Sequence, residues 1–262
     1  MFFDKSLNIF FKNIVNNNKK YKIKEIFMSE EKNKKDKEDT RGGECDVCDG
    51  DVKKDGVNIH YLTIIGQIEG HYYLPEGQKA TKYEHIIPTL VSCEEDDEVD
   101  GVLVLLNTMG GDVEAGLAIA EVIASMRKPT VSLVLGGGHS IGVPLAVSAK
   151  RSFIVPSATM TVHPVRINGL VIGVEQSFTY LAEMQKRIVN FICMHSNAKQ
   201  EKVYELMMRP DMMASDVGSI IEGKEAVEYG IIDAVGGLDA ALSELRSMAL
   251  EYKKKEKWAS QS

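Results

Sequence analysis

Ser140, in the segment Gly136-Gly-Gly-His-Ser-Ile-Gly142, has the setting of a residue that could do covalent chemistry. A serine hydroxyl is a weak nucleophile at neutral pH and needs an adjacent base. His163, in Thr159-Met-Thr-Val-His-Pro164, follows it at the end of a predicted short strand and could serve as that base. An imidazole in this role needs a carboxylate to orient it and stabilise its charged form. Asp211 and Asp216 lie downstream, and the residues alone leave both open. Acyl transfer also needs donors for the developing oxyanion. Two glycine-rich segments, Asn107-Thr-Met-Gly-Gly-Asp112 and the serine segment itself, read as turns that leave a buried strand and open a helix. Such turns present backbone N–H groups at the positive end of a helix. Gly111 and Ile141 are the candidate donors, each of a kind worth roughly 3–4 kcal/mol to the transition state. This chemistry requires neither a metal nor an organic cofactor.

The elements around these residues alternate. Ile59–Ile65 reads as a strand ending at Gly66, and Tyr83–Cys93 as a helix. Gly101–Leu106 is a continuous apolar run of strand length, the pattern of a strand covered on both faces. Asp112 is a plausible N-cap for a helix running to about Met126, which Lys128-Pro129 stops. Thr130–Leu135 is a second apolar run, followed by the glycines and a small-residue helix to about Ala149. Phe153–Val155 and Thr159–Val162 are short strands, and Val174–His195 is a long helix with Phe178, Leu181, Met184, Ile188 and Phe191 at helical spacing. Repeated strand–helix units with buried strands predict an α/β fold with crossover connections.

Composition narrows the function. With 44% hydrophobic residues among 262, the chain can bury a substantial core. Its 31 basic against 38 acidic residues leave a net charge of −7, which argues against a general nucleic-acid binder. No apolar run is long enough to predict a membrane span. Four cysteines, Cys45, Cys48, Cys93 and Cys193, do not make a disulfide framework. A cytoplasmic protein is expected.

The first 57 residues read as an extension. Residues 1–27 lack the uninterrupted apolar core and cleavage site of a secretory signal, and Met28 is the expected true start. Residues 29–56 are almost wholly charged, polar or glycine and are expected to be disordered. Cys45-Asp-Val-Cys48 inside this stretch is half of a zinc site, and with no second pair following it reads as two exposed thiols on a tail. The folded domain is expected over 58–250, with a charged tail over 251–262. His60, His71, His85 and His195 have no evident partners and read as structural. Met207, Met208, Met212 and Met213 read as packing residues.

Across about residues 58–245 the chain resembles the ClpP-like serine peptidases, and within them the branch of translocation-enhancing proteins. The resemblance rests on Asn107-Thr-Met-Gly-Gly111, Gly138-His-Ser-Ile-Gly142, Met160-Thr-Val-His163 and the closing Glu225-Ala-Val-Glu-Tyr-Gly-Ile-Ile-Asp233. It implies a superhelix of strand–helix turns of the kind shared with crotonases, with Val174–His195 as a handle helix between subunits. It implies Ser140 as nucleophile, His163 as general base, and the Gly111 and Ile141 amides as oxyanion donors. For the acid it favours Asp216 over Asp211, because Asp216-Val-Gly-Ser-Ile-Ile221 resembles the branch. It further implies a homo-oligomeric ring, peptide or unfolded-protein substrates, and an ATPase unfoldase as partner, although residues 29–56 show no docking element for one. Met109 stands where proline is usual, and His139 where a small residue is usual.

Three other readings bear on the same residues. Gly138-His-Ser-Ile-Gly142 also fits the nucleophile elbow of α/β-hydrolases, but that fold needs an acid between serine and histidine, and none separates Ser140 from His163. A crotonase-type acyl-CoA enzyme would not need Ser140 and His163 together. A catalytically silent ring aiding protein export is compatible with the same sequence.

Overall fold

The structure, a computed structural model, describes residues 49–166, 172–210 and 217–259. Among them are nine strands and seven helices. The N-terminal hairpin is β1 (Gly50–Lys54) and β2 (Val57–Glu69), followed by β3 (Ala80–Lys82) and α1 (Tyr83–Glu95). Next come β4 (Gly101–Gly111), α2 (Val113–Ser125), β5 (Thr130–His139), α3 (Gly142–Val147), β6 (Arg151–Ile154) and β7 (Thr159–Val162). The chain continues with α4 (Val174–Met194), α5 (Gln200–Met207), β8 (Ser219–Glu222), α6 (Gly223–Glu228), β9 (Ala234–Val235) and α7 (Leu238–Ala259). The α/β class predicted from the alternation is the one found.

One mixed sheet runs β1-β2-β4-β5-β6-β9. Its central pairings, β2 with β4 and β4 with β5, are parallel, as crossover helices require. The continuous apolar runs arise because both faces are covered. Val102, Val104 and Leu106 of β4 point into the larger core with Ile119 and Ile123 of α2. Leu103 points the other way, packing with Val131 and Leu133 of β5 against Ala241, Leu245 and Ala249 of α7. A period-two alternation of apolar and polar residues would have exposed one of these faces.

Two expectations need correction. The glycine segments are not turns at the strand ends: β4 continues through Gly111 and β5 through His139. They stay extended because each finds a partner strand, Gly110 and Gly111 beside Gln67 and Ile68, and Gly137 to His139 beside Thr159 to Thr161. The second correction is at the chain's start. Gly50–Lys54, within the stretch expected to be disordered, pairs antiparallel with Val57–Tyr61 across a two-residue Asp55-Gly56 turn. Both turn residues have positive φ, 54° and 75°, the type I′ geometry that suits the twist of a hairpin. At the other end, α7 extends through residues read as a charged tail, and its Lys253 bonds the Gly56 carbonyl at 3.1 Å and pairs with Asp100 at 2.8 Å.

Strand β5 forks. Its first half pairs with β6, and its last residues pair with β7. The fork sends β7 alongside the end of β5, and this places the candidate site.

Candidate active site

The backbone reverses at Ser140. Its N–H donates to the Thr161 carbonyl (2.8 Å), closing the β5–β7 ladder, while its carbonyl accepts from the Val143 N–H (3.0 Å), opening α3. One residue must therefore turn a strand into a helix, and Ser140 does so with φ of 58°, in the left-handed region. A non-glycine residue there carries strain of roughly 1–3 kcal/mol, a feature that clusters at functional sites.

The neighbouring strand accommodates this turn with glycine. A Cβ at Gly110 would lie 2.7 Å from the Ser140 Cβ and 3.3 Å from its Oγ. The Gly110 N–H is already bonded to the Thr108 hydroxyl (3.0 Å), which itself donates to the Gly66 carbonyl (2.6 Å). The Asp112 N–H donates to the Ile68 carbonyl (3.0 Å). By the alternation of a strand, the Gly111 N–H between them is directed away from β2 and towards β5. Asn107 Oδ1 accepts from the Gly137 N–H (2.9 Å), tying the two glycine segments together. Asp112 caps α2 as expected, its side chain accepting from the Ala115 N–H (2.8 Å). Ile141 is the N-cap of α3, and its side chain packs against Gly116 of α2.

His163 follows directly after β7. The parallel register His139↔Thr161 carries Ser140 and His163 to the same end of adjacent strands, which lie about 4.8 Å apart. His163 Nδ1 lies 2.6 Å from the Pro164 carbonyl. A carbonyl only accepts, so in the neutral ring Nδ1 carries the proton and Nε2 keeps its lone pair, the form a general base needs. Asp211 and Asp216 lie outside the described residues. The ends of their segment are placed, however. The Gly218 N–H donates to the Arg209 carbonyl (2.8 Å), and a Cβ at Gly218 would lie 2.7 Å from the His163 Cβ. Gly218 thus stands directly against His163.

Gly111, Ser140, Ile141 and His163 line one pocket of about 130 Å³. Val143, Val162, Ile188, Ile192 and Met207 form its apolar side, and Arg166 also stands at the lining. Sequence patterning identified Ile188 and Met207 only as packing residues. The Pro164 carbonyl and Arg166 had no sequence signal, because a backbone acceptor has no residue type and a single arginine no pattern.

His139 does not line this pocket. Its Nδ1 lies 2.8 Å from the Thr161 hydroxyl, and burial holds its pKa below the ordinary imidazole value near 6.5. The unfolded chain then binds this proton more readily than the folded one. Stability from the neutral ring is present above pH 6.5 and lost as pH falls through the depressed folded value. In urea unfolding, the wild-type midpoint should fall more steeply below pH 6.5 than that of His139→Asn; parallel curves would contradict this.

Of the four histidines read as partnerless, three have partners. His60 bonds Asp51 (2.9 Å), His71 Nδ1 lies 3.3 Å from the Tyr83 hydroxyl, and His195 stacks on Phe191 at 4.2 Å between centroids. Met207 is buried as expected, Met208 is exposed, and Met212 and Met213, like Met28, Cys45 and Cys48, lie outside the described residues. No helix of the described residues is long and apolar enough to cross a membrane.

The chain belongs to the Clp protease family, whose model matches residues 60–238. Within the family its similarities are graded. It is 57% identical over 191 residues to the translocation-enhancing protein TepA of Halalkalibacterium halodurans, an alignment covering 73% of this chain and 75% of that one. More distantly, it is 27% identical over 157 residues to the ATP-dependent Clp protease proteolytic subunit of Lactococcus lactis subsp. cremoris, covering 57% of this chain and 74% of the relative. The corresponding subunit of Streptococcus uberis is 26% identical over 157 residues, covering 57% and 76%.

Proposed function

We propose that this protein is a serine-type endopeptidase acting on peptides or unfolded protein segments through Ser140, His163 and Asp216. The observation that carries the reading is the meeting of Ser140, His163, Gly111 and Ile141 in a single pocket. In the proposed reaction His163 Nε2 takes the proton of Ser140 as Oγ attacks the peptide carbonyl. The Gly111 and Ile141 amides hold the oxyanion, and His163 returns the proton to the departing amine. Water, deprotonated by the same imidazole, then hydrolyses the acyl-enzyme. Asp216 keeps the imidazolium favourable. The Pro164 carbonyl fixes the tautomer before substrate arrives. A pocket of 130 Å³ is comparable to the roughly 150 Å³ cavity that holds benzene, so one medium apolar substrate side chain fits it.

Family membership supports a homo-oligomeric ring, and α4 offers an apolar outer surface for it, with Val174, Phe178 and Tyr180 at 79%, 74% and 56% exposed. The ATP-dependent naming of the more distant relatives supports an ATPase partner. A second reading, a ring scaffold that assists protein export without cleaving, is favoured by the name of the 57% identical relative. Labelling of the assembled protein with a fluorophosphonate separates the two. The peptidase reading expects labelling of the wild type and none of Ser140→Ala or His163→Ala. An assembled wild type that stays unlabelled selects the scaffold.

A further inference from the structure

We infer that Gln185 of α4 is a positioning residue for the general base, acting on His163 through the peptide group between Pro164 and Val165. The inference rests on the proposed use of His163 as that base. One planar amide carries both contacts. Its carbonyl, on Pro164, lies 2.6 Å from His163 Nδ1, and its N–H, on Val165, donates to Gln185 Oε1 at 3.3 Å. A helix side chain is thereby linked to the imidazole through a single backbone group.

This amide needs an anchor. β7 ends at Val162, so its ladders to β5 and β8 do not fix residues 164 and 165. The proline ring locks φ of Pro164 near −65°. That leaves ψ of Pro164 and φ of Val165 as the torsions that turn the amide plane. The N–H and C=O of a trans peptide point in opposite directions across one rigid plane, so holding the first aims the second. With its N–H held by Gln185, the amide directs its carbonyl at His163. An amide that donates is also the better acceptor, each bond in such a chain strengthening the next by perhaps 10–30%.

The place of Gln185 on α4 agrees with this role. Ile188 and Ile192, one and two turns further along the same helix face, line the Ser140 pocket. Met184, Ile188, Val189 and Ile192 make that face apolar and buried, and Gln185 is a half-buried polar residue set among them. The Val165 N–H is what its side chain satisfies. The chemical consequence lies at the other end of the amide. A proton kept on Nδ1 leaves the Nε2 lone pair for the Ser140 hydroxyl. When that proton passes from Oγ to Nε2, the ring becomes a cation and its Nδ1–H becomes a stronger donor to the same carbonyl. Gln185 neither gains nor loses a proton.

The test reads the tautomer directly. Nitrogen NMR of the full chain labelled in its histidine rings, at a pH where they are neutral and with His163→Gln to assign the signal, should show His163 protonated on Nδ1. Gln185→Leu, which keeps the bulk and removes the acceptor, should shift the tautomer ratio towards Nε2–H by about 3- to 10-fold. The saturating rate of fluorophosphonate labelling should fall by a similar factor with the half-saturating concentration unchanged. The melting temperature should not fall, because leucine suits the apolar face. Gln185→Glu keeps an acceptor oxygen and should restore the wild-type tautomer and rate. Gln185→Asn, one methylene too short, should repeat the leucine effect and decides the matter if Gln185→Leu fails to fold. A wild-type ring protonated on Nε2, or a folded Gln185→Leu or Gln185→Asn with the wild-type tautomer ratio, overturns the proposal. An unlabelled wild type whose tautomer still follows residue 185 ends the peptidase reading and upholds the Gln185 contact.

Discussion

Replacing Ser140 by alanine should lower kcat for an unstructured peptide on the order of 10⁶-fold, and His163→Ala should do nearly the same. The proposed mechanism makes the two groups one device. Without the imidazole the hydroxyl keeps its proton, and without the hydroxyl the imidazole has nothing to activate. The double variant should therefore be no slower than either single one, because the first deletion already removes the covalent route. Neither change should alter the melting temperature greatly. Ser140→Ala removes only an oxygen and leaves the backbone bonds to Thr161 and Val143 in place. The measurement is a pair of single-turnover rates with melting curves at the same protein concentration. Additive losses would mean that Ser140 and His163 do not act together, and the catalytic reading would fail.

Gly111→Ala is the second large effect. Gly111 has φ of 151°, and a Cβ there would lie inside van der Waals contact with the Ile68 carbonyl. To relieve it, the end of β4 must move away from β2, and the Gly111 N–H moves with it. Misplacing one oxyanion donor costs about 10²–10³ in kcat. The loss should fall mainly on kcat, because the donor acts on charge that develops only in the transition state. Stability should fall as well, the melting temperature dropping about 2–4 °C for each kcal/mol of strain in a chain of this size. Gly77→Ala is the control. Gly77 also has a positive φ, 85°, but open space around it, so it carries the conformational cost without the displacement and should leave kcat unchanged. Equal activity losses in the two variants would remove Gly111 from the proposed oxyanion hole.

Much of the scaffold was legible residue by residue. The helix over Val174–Met194 announces itself through apolar positions three and four apart, and Asp112 through its capping chemistry; both depend on interactions within a few residues. The buried runs of β4 and β5 were equally plain, because a strand covered on both faces admits almost no polar residue. The hairpin at Asp55-Gly56 carries a local signal too. Its charged flanks suggested disorder, although Asp-Gly is a strong local signal for a two-residue turn. The strands through the glycines could not be read this way. Glycine has little strand preference of its own, and these segments are extended only because β2 and β7 lie beside them.

By itself the sequence determined the residue types available for chemistry: a serine after glycines, a histidine after a β-rich run, and the caps and apolar faces that set most elements. These are local properties, fixed by side-chain chemistry and by the periods of helix and strand. Only the tertiary structure decided that the serine and histidine meet. The fork of β5 between β6 and β7 aligns Ser140 with His163, and the β4 register puts Gly110 beneath the serine. It also decided that His60, with no visible partner along the chain, stands between Asp49 and Asp51. Strand register depends on which distant surfaces can be buried together, and that is a property of the packed sheet rather than of any short stretch of residues.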